Sequence, residues 1–130
     1  MLDTDTASYV IRAGRPRLDD RVAATPADEL RVSAVTRAEL LYGVRLKPNA
    51  ERLGRLVGAF LSRVQTLAWD ETAADQFAIV AAELDLAGRR IGPFDTMIAA
   101  HALATGATLV TNNTAHFSQV SGLRVENWSV

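Results

Sequence analysis

Short apolar runs alternating with longer helical patterns constrain this chain more than any other feature. "LRVSA" at 30–34, "QTLAW" at 65–69 and "ATLVT" at 107–111 read as strands, and "LRVENW" at 123–128 as an edge strand. Between them lie segments with the 3-and-4 spacing of a helix. The clearest places Leu53, Leu56, Val57, Phe60, Leu61 and Val64 on one buried face. A helix from Thr36 towards Lys47 precedes it, stopped by Pro48. Another turns Ala73, Phe77, Val80, Ala81 and Leu84 inward and ends near Gly88, and "FDTMIAAHALAT" forms a further helix closed by Gly106. Strands separated by helices call for crossover connections, so the class is α/β around a mainly parallel sheet.

A chain of 130 residues is expected to form one domain over 1–130, large enough to bury a core. The formal net charge is −1, so nothing global announces nucleic acid. No cysteine is present, which excludes disulfides and thiolate metal sites. No apolar run approaches the roughly 20 residues of a membrane span, and no basic-then-apolar leader precedes the first Asp, so the expected compartment is the cytoplasm. Basic charge is local: Arg12, Arg15, Arg17 and Arg21 cluster early, and Arg52, Arg55 and Arg63 recur mid-chain. Solvated helix faces are the ordinary reading of such clusters.

Acids fall at informative places. "LDTDT" opens the chain with Asp3 and Asp5, either of which could cap a helix beginning near Ala7. Thr36-x-x-Glu39 has the form of a capping box, and Asp95 in "GPFDTM" reads as an N-cap. Each acid alone is explained as a cap. Together they imply more, because strand-to-helix turns in a parallel α/β sheet share the carboxyl edge, where such folds place ligands. Two carboxylates about 4 Å apart repel by roughly 4 kcal/mol at an effective dielectric near 20. Protonation, dipoles or a cation must offset that repulsion. Hard oxygen donors without Cys, and without a His pair at ligand spacing, favour Mg²⁺ or Mn²⁺ over Zn²⁺.

The Asp3-x-Asp5 pair also matches the opening of haloacid-dehalogenase-like phosphatases, where the first Asp attacks phosphorus. That chemistry then needs a Ser or Thr, a Lys and a downstream acidic pair, in order. Here the only Lys, Lys47, and the Asp19-Asp20 pair lie upstream of "LVT". The order fails.

"LDTD", "AVTRAELLYG", "IGPFDTMIAAHALATGATLVTNNTAHF" and "GLRVENW", in that order, resemble the PIN-domain ribonucleases, and more narrowly the VapC-type toxins of bacterial toxin–antitoxin pairs. The resemblance implies a three-layer α/β/α sandwich and an acidic pocket holding Mg²⁺ or Mn²⁺. It maps the family's acids onto Asp3, Glu39 and Asp95, with Asp5 in support where relatives commonly carry Asn. Asp3 and Asp95 would hold the metal, with Glu39 binding directly or through water, for endonucleolytic hydrolysis of RNA to a 3′-hydroxyl and a 5′-phosphate. Thr111, Asn112 and Asn113 would orient a water or phosphate. Arg12, Arg15, Arg17 and Arg21, with Arg89 and Arg90, are candidates for the RNA backbone.

The chain departs from the pattern twice. Where relatives often carry an acid before Phe117 stands His116, read as a surface residue near a helix end, with membership of the site as the alternative. Met1-Leu2 makes a stunted first strand, or the start lies upstream. His101 is expected to pack or meet a partner, and Trp69 and Trp128 to pack in the core or at an edge. The family also implies a homodimer and a VapB-type antitoxin, whose Arg-bearing C-terminal segment would lie near the acidic pocket. The apolar surface around Leu40–Tyr42 and Leu53–Val64 could serve a groove or dimer face, or be core. The rival is a catalytically silent interaction module with its acids kept as caps.

Overall fold

The computed structural model describes residues 1–130. Helix α1 (Thr4–Arg12) begins directly after Asp3, earlier than the apolar pattern implies, because Asp3 is its N-cap. Helix α2 (Pro16–Ala24) follows, with Pro16 in its first turn and only Leu18 and Val22 buried. Two apolar residues four apart are too few to read as a face, which is why sequence pattern gives this segment no element. Then come β1 (Arg31–Ser33), α3 (Ala34–Leu46), α4 (Glu51–Arg63), β2 (Gln65–Leu67), α5 (Glu71–Leu86) and α6 (Pro93–Thr105). The chain closes with β3 (Leu109–Val110), α7 (Thr114–Phe117) and β4 (Val125–Glu126).

Strands β1 and β2 pair in parallel, with Arg31 opposite Gln65, and β3 pairs with β4 in parallel, with Leu109 opposite Val125. Met1 and Leu2 join the two pairs. Leu2 bridges Val110 in parallel. The Leu2 N–H donates to the Arg31 carbonyl at 2.9 Å, and the Val110 N–H donates to the Met1 carbonyl at 2.8 Å. Hydrogen bonds therefore cross the molecule in the order β2, β1, Met1-Leu2, β3, β4. The first strand is as short as expected, yet it holds the centre, and β4 lies at an edge.

Successive residues of a strand point to opposite faces, and that alternation builds two apolar layers. Met1 and Leu109 enter one cluster with Val80 and Leu84 of α5, Ile98 of α6 and Phe117 of α7. Leu2 and Val110 enter the other with Leu18, Leu40, Val57, Phe60 and Leu61 of the earlier helices. The result is a three-layer α/β/α sandwich. In α4 the buried face is narrower than its spacing implies: Leu56 is 40% exposed, since it lies about 100° round the helix from Val57. No helix is long and apolar enough to cross a membrane.

Candidate active site

Three acids reach one edge of the sheet by three different routes. Asp3 ends the Met1-Leu2 segment and caps α1, its Oδ1 accepting from the Thr6 N–H at 2.9 Å. Glu39 does not belong to a capping box. Ser33 is the N-cap of α3, accepting from the Val35 N–H at 3.1 Å, so the helix begins at Ala34 and Glu39 stands in its second turn. Asp95 is likewise not the cap of α6. Gly92, at φ +93°, occupies that position and Pro93 follows, which carries Asp95 inside the first turn. Both carboxylates are thus released from the backbone duty that sequence alone assigns them.

Hydrogen bonds hold each acid separately. Asp3 is 3% exposed, and its Oδ2 accepts from the Thr111 hydroxyl at 2.6 Å. Thr111 is itself oriented by the Asn113 N–H, which donates to its Oγ1 at 3.0 Å. The Thr4 hydroxyl donates to Glu39 Oε1 at 2.6 Å and lies 3.1 Å from the Thr36 hydroxyl. Asp95 Oδ2 lies 3.1 Å from Nε2 of His116, which is also 2.9 Å from the Ile91 carbonyl. His116 is therefore a neighbour of Asp95, not a detached surface residue. Asp5 is exposed in the first turn of α1.

The site's electrostatics bind these groups together. Burial raises the pKa of Asp3 above the usual carboxylate range, opposed by the Thr111 and Thr6 hydrogen bonds and reinforced by the field of Asp5. Burial also raises Glu39, against its Thr4 hydrogen bond, and the charges of Asp95, Asp5 and Asp3 push it further. Asp95 is raised by burial, then by Asp3 and Asp5, while His116 pulls it down. Four carboxylates thus share one field. As the side chains stand, no three of them converge as ligands of a single ion; Asp3, Glu39 and Asp95 are each tied to a separate partner. The donor set is nonetheless all hard oxygen, partly desolvated and mutually repelling, and it fits a Mg²⁺- or Mn²⁺-sized dication.

Other expected participants fall elsewhere. Asn112 accepts from the Ser129 hydroxyl at 2.9 Å, tying the C-terminal segment down, and the Asn113 side chain is exposed. Of the early arginines, Arg12 lines a cleft of about 180 Å³ with Thr4, Asp5, Glu39 and Lys47. Arg15 stacks on Tyr9 at 3.6 Å. Arg21 pairs with Glu126 at 3.4 Å and covers the Trp128 ring at 4.8 Å. Arg17 and Arg89 are exposed, and Arg90 pairs with Asp85 at 3.0 Å. Trp69 packs on Phe77 and donates to the Met97 carbonyl at 3.0 Å, and His101 is buried. Sequence reasoning missed Thr4 and the Ile91 carbonyl, and it read Thr36 only as a helix cap. Thr4 sits between the two acids of "LDTDT", a placement that could have drawn notice.

Residues 1–123 match the PIN domain. Over 129 residues the chain is 39% identical to the tRNA(fMet)-specific endonuclease VapC of Shigella flexneri, covering 99% of this chain and 97% of that relative. It is 39% identical over 128 residues to ribonuclease VapC2 of Haemophilus influenzae, covering 98% and 96%. VapC's fold is matched too. The crystal structure of VapBC2 from Rickettsia felis bound to a promoter DNA fragment superposes with a TM-score of 0.92 at 32% identity, covering 98% of this chain and 97% of that chain. Sequence and fold agree, and the chain belongs to the PIN-domain family, among its VapC ribonucleases.

Proposed function

We propose that this chain, as one domain over residues 1–130, is the metal-dependent endoribonuclease and toxin of a VapBC-type pair, acting in the cytoplasm. The observation that carries this reading is the delivery of Asp3, Glu39 and Asp95 from distant parts of the chain to one sheet edge. When bound, a divalent ion supplies Lewis acidity, lowering the pKa of a bound water and offsetting charge on the scissile phosphate. Asp3 and Asp95 would hold it, with Glu39 binding directly or through water. Thr111 fixes the rotamer of Asp3, and Thr4 fixes that of Glu39. Arg12, beside the acids, pairs with a backbone phosphate outside the pocket. No side-chain nucleophile is needed. The phosphatase reading has no further footing, since Asp5 is exposed in α1 and the chain belongs to another family.

A VapB-type antitoxin completes the system. Solved relatives from Rickettsia felis, Salmonella typhimurium and nontypeable Haemophilus influenzae are described as VapBC pairs. An Arg-bearing segment of such a partner complements the acidic edge, and the toxin pairs with a second copy of itself within the larger complex.

RNA cleavage tests the reading. Two relatives are named for tRNA(fMet), so that RNA is offered first, followed by total RNA with sequencing of the cleaved ends. Wild type with Mg²⁺ or Mn²⁺ is expected to cut. Asp3→Asn and Asp95→Asn are expected to lose at least about 100-fold, the upper range seen when even outer-shell partners of a metal site are removed. Equal cleavage by all three proteins would sink it. So would no cleavage by a folded wild type, the result that the silent-module reading requires.

A further inference from the structure

The departure at His116 has a geometry that assigns it a task. Nε2 of His116 lies 2.9 Å from the Ile91 carbonyl and 3.1 Å from Asp95 Oδ2. A carbonyl oxygen can only accept, so Nε2 carries the proton and is the donor in both contacts. The Ile91 carbonyl is at a buried residue immediately before the Gly92-Pro93 start of α6. Its position is therefore set by the same turn that places Asp95. Ring packing fixes the other coordinate: His116 meets the fully buried Phe117 edge-on, with centroids 5.3 Å apart. The imidazole is thus held by ring packing on one side, and its single Nε2–H is shared between the Ile91 carbonyl and one oxygen of the Asp95 carboxylate.

We propose that His116 is a positioning residue, holding Asp95 by Oδ2 so that this carboxylate presents its other oxygen, Oδ1, to the metal. This rests on the ribonuclease reading of the site but concerns how one ligand is aimed. An acid at position 116 would add a fifth negative charge beside Asp3, Asp5, Glu39 and Asp95. The histidine instead supplies a donor to a carboxylate that has no other side-chain donor. It acts through Asp95 and does not itself touch the metal. The analogous arrangement around metal-bound histidines, in which an outer partner orients the ligand, is worth about 10- to 100-fold in metal affinity.

The test separates the N–H from the ring. Mn²⁺ is titrated calorimetrically into the full chain without RNA, for wild type, His116→Gln and His116→Ala, with thermal unfolding to confirm that each is folded. Gln can place an amide N–H near the position of Nε2, so His116→Gln is expected to bind Mn²⁺ within about threefold of wild type. His116→Ala is expected to bind at least about tenfold more weakly. Nitrogen-15 spectra of the wild type should report the Nε2–H tautomer for His116, a signature that a merely space-filling ring need not give. Unchanged affinity in His116→Ala overturns the proposal. So does His116→Gln as weak as Ala, an Nδ1–H tautomer, or a wild type that takes up no Mn²⁺. A wild type that shows this ranking yet cuts no RNA keeps the proposal and removes the nuclease reading.

Discussion

Asp3 performs two tasks at once, and substitution can divide them. It caps α1 through Oδ1 and contributes negative charge to the site. Asn is as good an N-cap as Asp, so Asp3→Asn should preserve the start of α1 while removing one like charge. In EDTA the variant is expected to be at least as stable as wild type by urea denaturation, although its cleavage falls. Asp3→Ala removes the cap as well and should cost about 1–2 kcal/mol. Thr111→Val is the complementary case: it strips a donor from a carboxylate that is 3% exposed, at a cost of about 1–3 kcal/mol. Equal destabilisation by Asn and Ala at position 3 would mean that charge, not capping, holds the turn. These three acids were legible because each lies where a strand or turn meets a helix. Their backbone roles were less so. Only Asp3 is a cap, since Ser33 displaces Thr36 and the Gly92-Pro93 pair displaces Asp95. That competition depends on φ and ψ at one residue, which composition does not encode.

Glu39 and Asp95 stand on α3 and α6, and those helices are locked together by a polar contact inside the core. Nδ1 of His101 on α6 lies 2.7 Å from the Ser33 hydroxyl that caps α3. His101 is 1% exposed, and burial lowers its pKa below the ordinary histidine value, opposed by the Asp70 charge and the Ala68 backbone. The sign follows. The unfolded chain takes up a proton as pH falls below about 6.5, whereas the folded chain resists. Stability from this group is complete above that pH and declines below it, by at most about 1.4 kcal/mol per pH unit. Asp3, Glu39 and Asp95 act in the opposite sense: their raised pKa values favour the folded state at lower pH and lose that advantage as pH rises from the ordinary carboxylate range. A comparison with His101→Gln isolates the histidine. The stability gap between wild type and variant, from urea curves at successive pH values between 5 and 7.5, is expected to narrow as pH falls. A gap flat with pH would mean that His101 does not stay neutral in the fold. Helices with four or more apolar positions were readable from spacing, as in α4 and α5. α2, resting on Leu18 and Val22, was not, nor was the polar partner of a histidine set among alanines.

For the whole molecule, a net charge of −1 conceals a strong local imbalance. The parallel sheet brings the ends of Met1-Leu2 and β1 and the start of α6 to one edge, so residues far apart in sequence pool their charge there. That these strand ends share one edge was readable from the sequence, because it follows from an α/β topology. The side-chain ties to Thr4, Thr111 and His116 were not, because they need tertiary geometry. For the proposed metal site the consequence is a linkage between folding and metal. An ion that binds the folded chain and not the unfolded one stabilises it by about 2.7 kcal/mol at 100 times its Kd. For a chain of this size that corresponds to a rise in Tm on the order of 10 °C. Calorimetric scans should register such a rise with Mn²⁺ in the wild type and lose most of it in the Asp3→Asn, Asp95→Asn double variant. Sodium chloride at equal ionic strength should not reproduce it, since screening relieves the repulsion without occupying the site. An equal rise in the double variant would place the ion elsewhere on the surface, and no rise in the wild type would mean that hydrogen bonds to Thr4, Thr111 and His116 already suffice to hold the acids apart.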